Sequence, residues 1–105
     1  MVEQHYRHGD LLIVRVAEVP SGAVVEQEPS VAGVVLAYGE VTGHAHRIEA
    51  GTASVWDVSG QRYITLPDGG TLTHEEHGPI DFAPGNYLVV QQREYTPEAV
   101  RLVAD

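Results

Sequence analysis

The sequence predicts an all-β domain, a small antiparallel barrel or sandwich, closed or partly open, of about eight short strands. Three observations indicate this fold. Apolar residues alternate with polar ones or form short β-branched runs, glycine and proline recur at short intervals, and no long amphipathic helical pattern is present. The 105 residues suffice for a single domain, residues 1–105, with one modest core.

Seven segments carry the strand pattern clearly. They are residues 11–17, 33–39, 53–58, 62–66, 71–74, 80–82 and 87–95. In the first, Leu12, Val14 and Val16 share one face, whereas Arg15 interrupts the other. Residues 59–61 have the composition and length of a hairpin turn, so the third and fourth segments should pair as neighbours.

Two segments do not follow the strand pattern. Residues 19–30 contain two prolines together with Glu26 and Glu28, which predicts an exposed acidic loop. Near the C-terminus, Thr96 and Pro97 suit the N-cap and first position of a helix. A short helical turn over 96–103 is one reading, and an extension of the last strand is the other.

Charge and composition exclude several classes of function. With 6 Lys and Arg against 15 Asp and Glu, the net charge is −9, which repels phosphate backbones and anionic membranes. We therefore expect no nucleic-acid or membrane partner. The absence of cysteine excludes disulfides, thiolate metal sites and cysteine nucleophiles. No signal-peptide pattern or long apolar run is present, so we expect a cytoplasmic protein.

The histidines are the main chemical feature. They form three close pairs: His5 with His8, His44 with His46, and His74 with His77. Residues two apart on a strand share a face, so His44 and His46 can present both imidazoles to one ion, and a bend could converge His74 and His77. These four residues are the predicted metal ligands, whereas His5 and His8 are not assigned to the site.

Such a set of nitrogen ligands suits a divalent transition metal, with zinc as the first candidate and nickel, iron, manganese or copper as others. Four carboxylates lie close enough in sequence to complete or orient the shell: Glu49, Glu75, Glu76 and Asp81. The segment 74–77 is not the metalloprotease motif, because that motif needs histidines four apart on a helix. The alternative is that the histidines are exposed or only hydrogen-bonded.

Four short motifs carry a resemblance to known proteins. They are GEVTGHAH at 39–46, HEEH at 74–77, PGNY at 84–87 and QREY at 92–95. Together they resemble a family of small uncharacterised bacterial and phage-associated β proteins, a resemblance that implies no activity. Gly39, His44, His46 and Glu49 are also similar to the first cupin motif, although in cupins the third histidine follows the Pro-x-Gly turn and here His74 and His77 precede it.

Three functions are compatible with these observations. The first is a β-barrel whose paired histidines hold one divalent ion in a structural or oligomer-stabilising role. The second is a cupin-like metalloenzyme with an open metal position, in which Glu49 or Glu75 serves as base. The third is a non-catalytic interaction module or homo-oligomer with incidental histidines. Whether the protein is an enzyme is left open by the sequence.

Overall fold

A computed structural model describes residues 5–38, 44–75 and 77–91, and these residues form ten strands. The strands are β1 (His5–His8), β2 (Leu11–Val16), β3 (Val24–Gln27), β4 (Val34–Tyr38), β5 (Ala45–Glu49), β6 (Ser54–Val58), β7 (Gln61–Leu66), β8 (Gly70–Thr73), β9 (Ile80–Phe82) and β10 (Gly85–Gln91). The predicted all-β class is confirmed, with ten strands in place of about eight. No helix that could cross a bilayer occurs in these ranges.

All strand pairs are antiparallel and fall into two sheets. The six-stranded sheet has the order β1-β2-β10-β7-β6-β3, and the four-stranded sheet has the order β4-β5-β8-β9. The two sheets are not joined into one closed barrel, so the architecture is a partly open sandwich. Between them lies a core of fully buried aliphatic side chains that includes Leu36, Ile48, Ile64, Leu66 and Leu72.

Two tight turns fix the register of the six-stranded sheet. Gly9 and Asp10 join β1 to β2, so that His8 pairs with Leu11 at the end of the hairpin. Ser59 and Gly60 join β6 to β7, and both have positive φ, as a two-residue hairpin turn of the primed type requires. The predicted hairpin at residues 59–61 is therefore confirmed.

Strand β2 carries buried residues on both faces. Leu11 and Ile13 are fully buried on one face and Val14 is buried on the other, whereas Leu12 and Val16 are half-buried. Arg15 lies on the core-side face without burying its charge. Its guanidinium lies over the ring of Tyr87 at 5.7 Å and donates to the carbonyl of Pro84, at the end of the sheet.

The sequence analysis predicted an exposed loop over the acidic segment 19–30, but part of this segment forms a strand. Val24–Gln27 forms β3, because its backbone pairs with β6 and the side chain of Gln27 exchanges two hydrogen bonds with the backbone of Val35. Glu26 and Glu28 are exposed. The possible helical turn at 96–103 lies outside the described residues.

Candidate metal centre

Five imidazoles lie together at one end of the sandwich. His8 comes from the β1–β2 hairpin, His44 and His46 from the start of β5, and His74 and His77 from the connection between β8 and β9. Adjacent ring centroids are separated by 4.4–6.1 Å: His8–His46 4.9, His8–His77 5.4, His8–His74 6.1, His46–His77 6.0, His46–His74 4.4, His74–His77 4.6 and His44–His74 5.6 Å. The cluster thus bridges the two sheets.

The tight turn at Gly9 and Asp10 brings two site residues into place. His8, just before the turn, is 3% exposed, and its side chain enters the cluster from the six-stranded sheet. Asp10 lies on the other side of Gly9, with its Oδ1 3.4 Å from Nε2 of His46. Gln91 on β10 donates to the second Asp10 oxygen at 2.8 Å and holds the carboxylate in that position.

His8 and His46 face each other through like atoms, with their Nδ1 nitrogens 2.8 Å apart. The opposite nitrogen of each ring points to an oxygen that only accepts hydrogen bonds: Nε2 of His8 lies 3.0 Å from the carbonyl oxygen of Gly78, and Nε2 of His46 lies near Asp10. Two neutral imidazoles can make both hydrogen bonds, with Nδ1–H of His46 donating to His8 and Nε2–H of His8 donating to Gly78, and Nε2 of His46 then carries no proton toward Asp10. A metal ion between the two Nδ1 atoms would instead let both rings carry their proton on Nε2, directed at an oxygen.

Burial and neighbouring imidazoles disfavour a protonated ring in this pair. Burial first, and then the nearby His74 and His8, lower the pKa of His46 to about 4 against the opposing effect of the Asp10 carboxylate. Burial also lowers the pKa of His8, although its bond to the Gly78 carbonyl opposes the shift. At neutral pH both rings are therefore neutral, which is the state that binds metals.

A second group of ligand atoms occupies the rim of the cluster. Ligand atoms of His44, His74 and Glu75 lie within 4.8 Å of one another, the two imidazoles half-buried and the carboxylate exposed. The backbone N–H of Ala45 donates to Oε1 of Glu75 at 2.9 Å, which fixes this carboxylate beside the His44–His46 segment. That hydrogen bond lowers the pKa of Glu75 and keeps it ionised.

Gly9 covers the cluster on the hairpin side. A Cβ at this position would lie 2.7 Å from Nε2 of His77 and 3.1 Å from Cε1 of His46, and the φ of +61° is itself one that favours glycine. A residue with a side chain would press on both imidazoles. His77 is exposed, so the cluster is open to solvent on its side.

The structure brings all four histidines predicted as ligands into this cluster, although His44 contacts it only through His74 among the ring pairs given above. That these residues bind metal stays a prediction. His8 belongs to the cluster and was not assigned to it from the sequence, whereas His5 is exposed at the far end of β1. The two-residue turn after His8 was the signal that could have placed it.

Among the carboxylates considered, Glu75 alone of the described residues joins the site. Glu49 is exposed and lies on the opposite face of β5 from His46 and Ile48, so it is wrongly placed for the suggested role of base. Asp81 is exposed on β9 and accepts a hydrogen bond from Thr71. Glu76 lies outside the described residues. Asp10 was missed because nothing in its sequence context ties it to the distant His46.

Comparison with known protein families gives a match over most of the chain. The model of a family described as Domain of unknown function (DUF8820) matches residues 7–92, a range that includes all five clustered histidines and excludes His5. Neither the curated proteins nor the solved structures contain a significant match. The cupin resemblance is not confirmed by these comparisons.

Proposed function

The chain belongs to this family of domains of unknown function, and from that premise we propose that it is a small β protein that binds a divalent transition metal. The ion binds between the Nδ1 atoms of His8 and His46, with His77 as a third ligand. Its role is to tie the β1–β2 hairpin of one sheet to β5 and the β8–β9 connection of the other. Zinc is the first candidate, because imidazole ligands suit it and the chain has no thiolate.

The observation that carries this proposal is the pairing of two Nδ1 atoms on rings whose Nε2 atoms both face an oxygen. Ligating histidines in proteins commonly donate the second ring nitrogen to a carbonyl or a carboxylate, which fixes the tautomer that binds the metal. Gly78 and Asp10 supply one partner of each kind. An ion between the rings would leave both Nε2–H groups free to donate to these two oxygens.

The distance between the two Nδ1 atoms requires only a small adjustment. Two nitrogens bound to one tetrahedral zinc ion at roughly 2.0–2.1 Å lie about 3.3 Å apart. The two Nδ1 atoms are 2.8 Å apart, so the rings would separate by about half an ångström on binding. The His77 ring lies 5.4 and 6.0 Å from the His8 and His46 rings, and its exposed side chain would have to move toward the ion.

Metal analysis of protein purified without a histidine tag or metal resin tests the proposal. We expect at least one equivalent of bound ion. Where the free zinc concentration is about 100 times the Kd, removal of zinc by a chelator should lower the Tm by roughly 10 °C or more. Less than about a tenth of an equivalent, with a Tm unchanged by chelator, would contradict it.

A matched pair of variants locates the site. His8→Ala should lose most of the stabilisation by added zinc, whereas His5→Ala, an exposed position on the same strand, should retain it. If His8→Ala does not fold, His77→Ala removes a ligand from the solvent side, where no core packing is lost. Equal zinc stabilisation of the His5 and His77 variants would place the ion elsewhere.

The other two readings remain predictions with separate tests. A cupin-like metalloenzyme would now have to use Glu75 as its base, because Glu49 faces away from the cluster. The expected homo-oligomer is tested by light scattering with and without chelator. Loss of assembly in chelator would give the ion an oligomer-stabilising role, and assembly indifferent to chelator would separate the two properties.

A further inference from the structure

The cluster has five imidazoles, which is more than one tetrahedral ion can bind. Two imidazoles bound to the same tetrahedral ion place their ring centres about 5 Å apart. His8, His46 and His77 are separated by 4.9–6.0 Å, and His44 and His74 by 5.6 Å. The His8–His46, His8–His77 and His44–His74 distances are therefore close to the spacing of shared ligands, whereas the His46–His77 distance of 6.0 Å exceeds it.

His74 also packs closely against the inner rings. It approaches His46 and His77 to 4.4 and 4.6 Å, with ring planes tilted by 38° in each case. Ring spacing alone therefore does not assign His74 to either group. Its ligand atom lies within 4.8 Å of those of His44 and Glu75, which groups it with the rim residues.

We propose that the rim residues His44, His74 and Glu75 form a second metal site, beside the inner ion held by His8, His46 and His77. This inference rests on the proposed metal-binding function and extends it to two ions. Six protein ligands are then shared three and three. The rim set of two imidazoles and one carboxylate is a common ligand combination for zinc and for non-haem iron.

Exposure and charge give the two ions different properties. The inner ligands His8 and His46 are 3% and 2% exposed, whereas Glu75 lies in solvent and His44 and His74 are half-buried. The rim ion would complete its coordination with water or with an oxygen atom of a small ligand, and it would exchange faster. Each site has one carboxylate, Asp10 beside the inner ligands and Glu75 among the rim ligands. The net charge of −9 also favours the binding of cations.

Calorimetric titration of metal-free, untagged protein with zinc tests the inference. We expect two equivalents to bind the wild type. The double variant His44→Ala/Glu75→Gln should bind one equivalent, with the affinity of the inner site retained. Glu49→Gln, an exposed glutamate on the opposite face of β5, is the matched control and should still bind two.

The outcomes separate the second site from the first. One equivalent in the wild type, unchanged by the rim variant, overturns the second site and leaves the inner ion. One equivalent that is lost equally in the rim variant and in His77→Ala shows a single ion shared by both groups and also overturns it. No binding overturns both proposals.

Discussion

A methyl group at Gly9 should disturb the histidine cluster while leaving the core intact. In Gly9→Ala the new Cβ would lie 2.7 Å from Nε2 of His77, whereas ordinary contacts begin at 3.4 Å, so the imidazole must retreat by about 0.7 Å. Metal ligands need to be held within about 0.5 Å of the productive position. We expect a 10–100-fold loss of zinc affinity, the range seen when the surroundings of a ligand are altered.

The backbone at Gly9 contributes a separate cost that the experiment has to remove. Alanine at a left-handed φ destabilises a protein by about 1–2 kcal/mol, which lowers the Tm by several degrees. Gly60→Ala is the matched control, since Gly60 also occupies a two-residue hairpin turn with positive φ, and a Cβ there meets nothing within 4 Å. Both variants should lose stability, and only Gly9→Ala should lose zinc affinity by calorimetry. Equal zinc affinity in the two variants would refute this account of the site.

Three further predictions concern the surroundings of the cluster. Asp10→Asn should weaken zinc binding 10–100-fold by calorimetry, because the oxygen of a neutral amide attracts the His46 N–H less strongly than a carboxylate does, whereas the exposed Asp81→Asn should have no effect. In metal-free protein the pKa of His46 is about 4 when folded and 6.5 when unfolded, so its contribution to stability is complete above pH 6.5 and is lost as the pH falls to 4. Urea unfolding should show a loss of up to about 3 kcal/mol over that window, and a loss of the same size in His46→Gln would contradict the assignment. Tyr87→Phe removes the 2.7 Å hydrogen bond to the carbonyl of Ala83 and should cost about 1 kcal/mol without changing zinc affinity, and a change in that affinity would show that the core and the site are coupled.

Local patterns were sufficient to predict the class of fold and most of its strands. The run at 62–66 and the turn before it are specified by alternation and by glycine, and they appear as β7 and its hairpin. The position of Arg15 on β2 was not predictable in this way. An arginine at position 15 predicts a solvent-facing residue. Its guanidinium lies over the Tyr87 ring and reaches the end of the sheet, so the aliphatic part of the side chain can lie on the core side.

The candidate site was only partly predictable because its residues meet through long-range packing. The spacing of His44 and His46 is local information, and the structure keeps both near the cluster. His8 reaches His46 across 38 positions and the two belong to different sheets, so only the arrangement of the sandwich brings them together. The same holds for Asp10, whose role depends on that packing and on Gln91 of the adjacent strand.

Anomalous diffraction at the zinc edge, from crystals of untagged protein grown with zinc, tests the central claim most directly. We expect a peak between the Nδ1 atoms of His8 and His46, roughly 2.0–2.1 Å from each, with the two nitrogens moved apart from 2.8 Å to about 3.3 Å. A map with no anomalous peak within about 2.5 Å of both nitrogens, and with the 2.8 Å contact unchanged, would contradict it.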